Sequence, residues 1–317
     1  MRRKIIRTIF FIGGVCLLAA GCRPGAPPEQ SGENIPPGRA VAWNNLEKHL
    51  ARRSAPAPTG EIKSRLINYL AGASVRGRYG VYFENLNSGA RFGINENEPC
   101  NQWSLLKVAV AATVLKKIER RELSLADKVK LSAADLDTAT LFPELNRAGD
   151  DLTVRELLER LIRHSDNASS AALGRLFKAD EFQETLLAMG ARPAPPGQPA
   201  NFLPPASPRE YANILRDLYL AGYLSRPSSQ LILALMADTC YDSQIRAGLP
   251  GKVKVANKVG FNAGCGEFHD CGIVCLPGAP YLLCIMSRNS TREEAERVMK
   301  ELSRQIYEFA RETAQHY

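Results

Sequence analysis

The spacing of hydrophobic residues changes several times along the chain, and each change predicts a different structural element. A stripe of apolar residues at helical spacing follows Thr59, whose side chain is placed to cap that helix. Residues 80–83 and 90–94 are apolar stretches on either side of an Asn-Ser-Gly turn, which predicts a β-hairpin. Residues 104–118 are almost continuously apolar, as expected for a helix buried in the middle of a domain.

Beyond this buried helix, the pattern predicts a helical middle and a strand-rich end. Helical spacing recurs over residues 154–162, 168–177, 181–189, 208–220 and 230–236. Consecutive antiparallel strands are predicted over residues 253–261, 268–276 and 281–287. A last helix, between Ala295 and Phe309, carries an apolar stripe suited to packing on that sheet. This order predicts an α+β fold, in which one antiparallel sheet is flanked by terminal helices and an all-helical subdomain is inserted over about residues 119–240.

The start of the chain is typical of an exported lipoprotein. Arg2, Arg3, Lys4 and Arg7 precede an apolar run that is too short to span a bilayer, so we predict that residues 1–21 are an export signal. The run ends in Leu-Ala-Ala-Gly before Cys22, which resembles the lipobox of bacterial lipoproteins. In that family the signal is cleaved before the cysteine and the thiol is lipidated, which implies a lipid on Cys22.

Residues 22–58 are rich in Pro, Gly and Ser, and this composition predicts a flexible tether before a folded domain over residues 59–317. We therefore expect an exported protein that is lipid-anchored on the periplasmic or extracytoplasmic face of a membrane. An uncleaved anchor helix and plain secretion are the alternatives.

Removal of the signal changes both the charge and the number of cysteines. The formal net charge falls from +8 to +4, because residues 1–21 contain four basic residues and no acidic one. No cluster of Lys and Arg with interleaved aromatic residues follows, so the sequence indicates no nucleic-acid partner. Of the eight cysteines, six stay in the mature domain once Cys16 is removed and Cys22 is lipidated.

Export permits disulfides, and six cysteines allow 15 connectivities between which the sequence does not choose. Cys265 and Cys271 would face each other if the residues around Glu267 formed a hairpin turn. The alternative is a metal site made of Cys265, His269, Cys271 and Cys275, but this spacing matches no zinc pattern. We expect no metal and no other cofactor.

Three short motifs could carry chemistry, and the first is Ser104-Leu105-Leu106-Lys107. Residues three apart lie on one face of a helix, so the lysine amine can reach the serine oxygen and take its proton. The N-terminus of the helix adds free N–H groups and a positive dipole end, which favour an oxyanion near Ser104. Alone the motif is weak, because roughly one chance match is expected in a chain of this length.

The second motif, Ser165-Asp166-Asn167, lies between two helical patterns. A serine hydroxyl there can relay a proton to a departing amine, and an asparagine amide can hold the amide carbonyl of a substrate. The alternative is a plain helix N-cap, a role that all three residue types favour.

The third motif, Lys258-Val259-Gly260, ends a predicted strand. A lysine at a strand end can bind the carboxylate of a substrate, and the glycine lets a ligand approach the backbone closely. The alternative is a strand lysine that faces solvent.

Together and in this order, the three motifs resemble the Ser-x-x-Lys, Ser-Asp-Asn and Lys-Thr-Gly set of class A β-lactamases and penicillin-binding proteins. The resemblance covers nearly all of residues 59–309, including the hairpin before the first motif and the Ser-Pro-Arg helix start at Ser207. It implies a monomeric serine hydrolase whose substrate is a small β-lactam or a cell-wall peptide.

The resemblance also implies a role for each motif residue. Ser104 would be the nucleophile, Lys107 its activating base and Ser165 the proton relay to the leaving nitrogen. Substrate contacts would come from the Asn167 amide, the Lys258 amine, Gly260, and the backbone N–H groups of Ser104 and Phe261 as the oxyanion hole. A positive charge on Lys258 would also help to keep Lys107 neutral enough to act as a base.

Two departures from the family pattern matter. Val259 replaces the usual threonine or serine, which removes one hydroxyl donor to the substrate carboxylate at a cost of about 1.5–3 kcal/mol of binding. Class A enzymes place a glutamate in the loop before the helix at Pro208, where it activates the water that clears the acyl-enzyme. Residues 191–206, the corresponding loop here, contain no Asp or Glu.

Three hypotheses follow. The first is a β-lactamase that is acylated at Ser104 and hydrolyses the β-lactam amide, slowly because the deacylating glutamate is not evident. The second is a D,D-peptidase that acts on peptidoglycan peptides. The third is a penicillin-binding sensor or trap that acylates once and does not turn over.

Overall fold

The computed structural model describes residues 59–136, 141–192 and 203–314. The predicted signal, the Cys22 lipidation site and the tether over residues 22–58 lie outside these ranges. Across the described residues, no helix combines the length and apolar character that crossing a membrane requires.

In the described residues, most strands lie toward the two ends of the chain, and most helices lie between them. The strands are β1 (Arg78–Asn85), β2 (Arg91–Ile94), β3 (Lys128–Lys130), β4 (Asp151–Thr153), β5 (Val255–Asn262), β6 (Glu267–Val274) and β7 (Tyr281–Arg288). The helices are α1 (Gly60–Leu70), α2 (Lys107–Glu119), α3 (Val154–Arg163), α4 (Asn167–Gly174), α5 (Ala179–Ala188), α6 (Pro208–Leu220), α7 (Arg226–Ala237) and α8 (Arg292–Ala314).

A five-stranded antiparallel sheet in the order β2-β1-β7-β6-β5 joins the two ends of the chain. Its strands alternate side chains between two faces, and both faces are buried. On one face, Leu66 of α1 and Leu302 of α8 share a core with Val81 and Ile285 of the sheet. On the other face, helices α2 and α6 pack on residues such as Tyr82. The predicted α+β class, a sheet closed by terminal helices, is therefore confirmed.

The middle of the chain differs from the prediction in one respect, because it is not all-helical. Strands β3 and β4 form a separate two-stranded antiparallel sheet, in which the buried Val129 opposes the buried Leu152. Each strand has three residues and one buried apolar side chain. A run this short carries too little alternation to be recognised from hydrophobic spacing.

The predicted cap at Thr59 is wrong, whereas the start of α6 is capped as its Ser-Pro-Arg sequence suggests. Thr59 has a helical backbone conformation and makes no side-chain cap, and its hydroxyl donates to the Arg91 carbonyl at 3.4 Å. A capping side chain needs an extended backbone to reach the free N–H groups. Ser207 has that conformation and forms a reciprocal capping box with Glu210.

The expected apposition of Cys265 and Cys271 is also wrong. The turn between β5 and β6 is centred before Glu267, so that Glu267 pairs with Asn262 and Cys265 lies exposed in the turn. Cys271 is buried in β6 opposite Lys258, and both cysteines have free thiols. In the described part of the chain, no group of three or more His, Cys, Asp or Glu side chains is arranged to hold a metal ion.

Candidate active site

The first motif begins in a tight turn before the buried helix. Residues Trp103–Leu106 form a 3-10 turn that continues into α2, so Ser104 lies in the turn and Lys107 is the first residue of the α-helix. Trp103 has a positive φ of 47°, in the left-handed region that non-glycine residues rarely adopt. Ser104 is half-buried at the mouth of this turn, whereas the Lys107 side chain points into the domain and is 1% exposed.

Two neighbouring residues hold the turn from behind. The buried Tyr211 hydroxyl donates to the Leu105 carbonyl at 3.1 Å. Gly260 of β5 lies so close that an added Cβ would be 2.7 Å from the Gln102 carbonyl oxygen and 3.1 Å from the Leu105 nitrogen. Only a residue without a side chain lets the strand approach the turn this closely.

The second motif combines a helix cap with two side chains that face the first motif. Asp166 caps α4 by accepting from the Ser169 N–H at 2.7 Å, and Asn146 donates to its other oxygen at 2.9 Å. Ser165 precedes the cap with a φ of 54°, another left-handed conformation. The cap and the lysine contacts therefore occur together, because Asp166 caps the helix while Ser165 and Asn167 contact the Lys107 amine.

Both lysines of the motifs meet at the Ser165 hydroxyl. The Lys107 amine lies 3.3 Å from the Ser165 Oγ and donates to the Ser165 carbonyl and the Asn167 Oδ1, each at 2.5 Å. The Lys258 amine donates to the same Oγ at 2.8 Å and to the Val259 carbonyl at 3.0 Å. A hydroxyl bonded to two amines can pass a proton between them and a third group.

Burial and the neighbouring Lys107 lower the pKa of the Lys258 amine. Lys258 is 1% exposed, and its pKa lies well below that of an ordinary lysine, first because burial disfavours its charge and second because Lys107 is close. Lys258 is therefore buried, and the alternative that it is a strand lysine facing solvent is wrong. An amine with a lowered pKa releases a proton to Ser165 more readily than a free lysine does.

The backbone of β5 presents an N–H group at the edge of the sheet. The Cys275 N–H donates to the Lys254 carbonyl at 2.9 Å, and this bond sets which residues of β5 direct their backbone groups toward β6. By this alternation Phe261 points its N–H and carbonyl away from β6. Because β5 is an edge strand, that N–H points outward from the free edge of the sheet, and the preceding residue, Gly260, packs on the turn that contains Ser104.

Sequence reasoning missed the residues that support the motifs, namely Tyr211, Asn146 and Glu267. Glu267 accepts from the Trp103 Nε1 at 2.6 Å and from Asn101 at 3.2 Å, which fixes the indole of the turn that contains Ser104. None of these residues belongs to a short motif. The sequence indicates Glu267 only as the centre of a possible hairpin turn.

Two acidic residues that flank the loop without Asp or Glu, Glu181 and Glu210, bind cations elsewhere. Glu181 accepts from the Lys117 amine at 2.7 Å, and this hydrogen bond lowers the pKa of Glu181. Glu210 caps α6 and accepts from Arg192 at 2.7 Å. Residues 193–202 of the loop lie outside the described residues.

Comparison with known proteins identifies relatives that match most of the folded domain. The model of the beta-lactamase enzyme family matches residues 61–310. Beta-lactamase L2 of Stenotrophomonas maltophilia is 28% identical over 267 residues, which cover 77% of this chain and 84% of that protein. Among solved structures, a beta lactamase from Xanthomonas campestris has a TM-score of 0.69 at 27% identity and covers 78% of this chain and 97% of that one. PBP-A has a TM-score of 0.73 at 19% identity over 82% of this chain and 100% of that one, a likeness of fold alone.

The chain belongs to the beta-lactamase enzyme family, because the family model spans most of the folded domain. It is a serine hydrolase of the class A β-lactamase type, as the resemblance of its three motifs predicted.

Proposed function

We propose that the protein is acylated by β-lactams at Ser104 and releases the opened product slowly. Lys107 takes the proton of the Ser104 hydroxyl while its oxygen attacks the lactam carbonyl carbon. The backbone N–H groups of Ser104 and Phe261 hold the oxyanion. Ser165 then gives its proton to the departing lactam nitrogen and recovers one from Lys258, which leaves an ester on Ser104.

The observation that carries this proposal is the shared hydroxyl. Ser165 lies within 3.3 Å of one lysine amine and 2.8 Å of the other, so protons can enter and leave the reaction through one oxygen. A variant of PBP-A, whose fold this chain shares, has been solved as an acyl-enzyme complex with penicillin-G. That complex supports acylation of this fold by a β-lactam.

Slow release is proposed because the water-activating carboxylate of class A enzymes has no evident counterpart. The loop over residues 191–206 contains no Asp or Glu, and both Glu181 and Glu210 are bound to cations outside the motif cluster. Lys107, protonated during acylation, would first have to return that proton to Lys258 through the Ser165 hydroxyl and then activate the hydrolytic water, a weaker arrangement than a dedicated base.

The test is covalent labelling followed by a chase. A fluorescent penicillin should label the full-length chain, Ser104→Ala should abolish the label, and Ser64→Ala, on the exposed face of α1, should keep it. Absence of label on the wild type would refute the assignment.

The lifetime of the label separates the remaining possibilities. Loss over minutes is expected here, loss within seconds would reveal an efficient deacylation base, and persistence for hours would favour a trap. Release of D-alanine from a cell-wall pentapeptide at a rate above that of β-lactam hydrolysis would favour the D,D-peptidase.

We also propose that Cys22 carries a lipid and that the protein is exported. The lipobox before Cys22 and the basic residues at the start of the chain support this. Labelling cells with an alkyne-tagged fatty acid should tag the wild type and not Cys22→Ser, whereas Cys16→Ser should be tagged like the wild type. An untagged wild type, or a tagged Cys22→Ser, would contradict lipidation at this position.

A further inference from the structure

Two buried thiols oppose each other in the middle of the central sheet. Cys271 of β6 and Cys284 of β7 are direct partners in the strand register, and each is 0% exposed. Both thiols are free in the structure. The proposed reaction at Ser104 uses neither of them.

The backbone hydrogen bonds show what kind of pair they form. In antiparallel strands, opposed residues alternate between pairs that exchange backbone hydrogen bonds and pairs that do not. The Cys275 N–H bonds to the Lys254 carbonyl at 2.9 Å, and the register from there to Lys258 and Cys271 is continuous. Pairs of the same kind recur every two residues, and Lys258 and Cys271 lie four residues further along, so they exchange hydrogen bonds. Cys271 therefore directs its N–H and carbonyl toward β5 and not toward β7.

The pairing of β7 with β1 independently shows which way the backbone groups of Cys284 point. The Leu86 N–H bonds to the Pro280 carbonyl at 2.8 Å, and the alternation makes Tyr82 and Cys284 a hydrogen-bonded pair. Cys284 therefore directs its backbone groups toward β1. Cys271 and Cys284 therefore exchange no backbone hydrogen bonds with each other. Pairs of this type have the shorter separation between Cα atoms.

This narrow pairing fits the requirements of a disulfide. Cα atoms in such pairs lie about 4.5 Å apart with their side chains on the same face, and disulfides span Cα separations of about 4.4–6.8 Å. We propose that Cys271 and Cys284 form a cross-strand disulfide when the chain folds in the presence of a thiol-oxidising disulfide. No other two cysteines in the described residues are register partners.

The bond must form before the sheet is covered. In the folded protein, burial and the neighbouring Cys284 raise the pKa of the Cys271 thiol well above its ordinary value, so little reactive thiolate is present. During folding, one thiolate attacks the disulfide of the oxidant and releases one thiol from it. The second thiolate then attacks the mixed disulfide and releases the other thiol. Two electrons and two protons pass to the oxidant, which is a small-molecule disulfide or a disulfide-bearing oxidoreductase.

The position of the bond indicates what it would stabilise. The two thiols lie in one cross-strand row with Lys258, and they belong to the same buried cluster as Tyr211. The Tyr211 hydroxyl in turn supports the Leu105 carbonyl in the nucleophile turn. A link between β6 and β7 would therefore reinforce the sheet directly beneath the candidate active site.

The experiment is oxidative refolding followed by peptide mapping. The reduced, unfolded full-length chain is refolded in detergent with mixed oxidised and reduced glutathione, alkylated under denaturing conditions and digested. Trypsin leaves Cys265, Cys271, Cys275 and Cys284 in one peptide, because no Lys or Arg lies between them, so chymotrypsin is added to cut after Tyr281. The expected result is a linked pair of peptides containing Cys271 and Cys284 in both the wild type and Cys275→Ser, with neither thiol alkylated.

A stability measurement completes the test. Reduction before refolding should lower the melting temperature of the wild type by roughly 5–10 °C, and Cys271→Ala/Cys284→Ala should show no such difference. The exposed pair Cys240→Ser/Cys265→Ser should behave like the wild type. If the double alanine variant does not fold, the peptide map of the wild type still shows whether Cys271 and Cys284 are linked. Alkylated Cys271 and Cys284, or either cysteine linked to a different partner, would overturn the proposal.

Discussion

Substitution of Gly260 by alanine tests whether the close packing of β5 on the nucleophile turn matters for acylation. The new Cβ would lie 2.7 Å from the Gln102 carbonyl oxygen, whereas ordinary carbon to oxygen contacts begin near 3.3 Å. The other close atoms are Cγ and N of Leu105, at 3.0 and 3.1 Å. Since two of the three neighbours are backbone atoms, the strand and the turn must separate by about half an ångström.

This displacement moves Ser104 relative to Phe261, the two residues proposed to hold the oxyanion. A misplacement of 1 Å can cost about 100-fold in rate, so half an ångström should slow acylation roughly 10-fold. Overpacking of this kind also lowers the free energy of unfolding by about 1–3 kcal/mol. The rate constant for labelling by a fluorescent penicillin measures the first effect, and chemical denaturation followed by circular dichroism measures the second.

The matched control is Gly251→Ala, because a Cβ at Gly251 would meet no atom within 4 Å. We expect that variant to label at the wild-type rate. If Gly260→Ala, folded and stable at the assay temperature, is acylated as fast as Gly251→Ala, then the approach of the strand to the turn does not position the reacting groups and our geometric argument fails.

Three further predictions concern single side chains. Ser165→Ala removes the hydroxyl that both lysines contact, and it should slow acylation by about 100-fold or more in a stopped-flow assay while the fold is kept; a near-normal rate would remove Ser165 from the mechanism. Tyr211→Phe leaves the Leu105 carbonyl without its side-chain donor and should lower the free energy of unfolding by about 1 kcal/mol, or more if the carbonyl is left unsatisfied; an unchanged denaturation midpoint would contradict this. Burial raises the pKa of Asp270 to about 6, above the ordinary value of 3.8. The protonated carboxyl therefore stabilises the folded state fully below pH 3.8, and this stabilisation is lost as the pH rises through 6. The difference in unfolding free energy between wild type and Asp270→Asn should therefore change between pH 4 and 6 and level off above pH 7, and a flat difference would show that Asp270 does not titrate in that range.

The local chemistry of the chain determined much of its secondary structure. The α6 helix runs over the residues that the pattern predicted, because Ser207 and Pro208 are strong start signals that act within one turn. Strands β5 to β7 follow the predicted apolar runs to within a few residues. The three motifs were recognisable as a set because catalysis needs particular residue types at short spacings.

Contacts between distant segments were decided only by the tertiary structure. Lys258 and Ser165 are 93 residues apart, and their hydrogen bond depends on the packing of an edge strand against the helical middle. Hydrophobic alternation shows which face of a strand is buried, but not which residue of the next strand lies opposite. For this reason the sequence suggested Cys265 as the neighbour of Cys271, whereas the register of the folded sheet makes that neighbour Cys284.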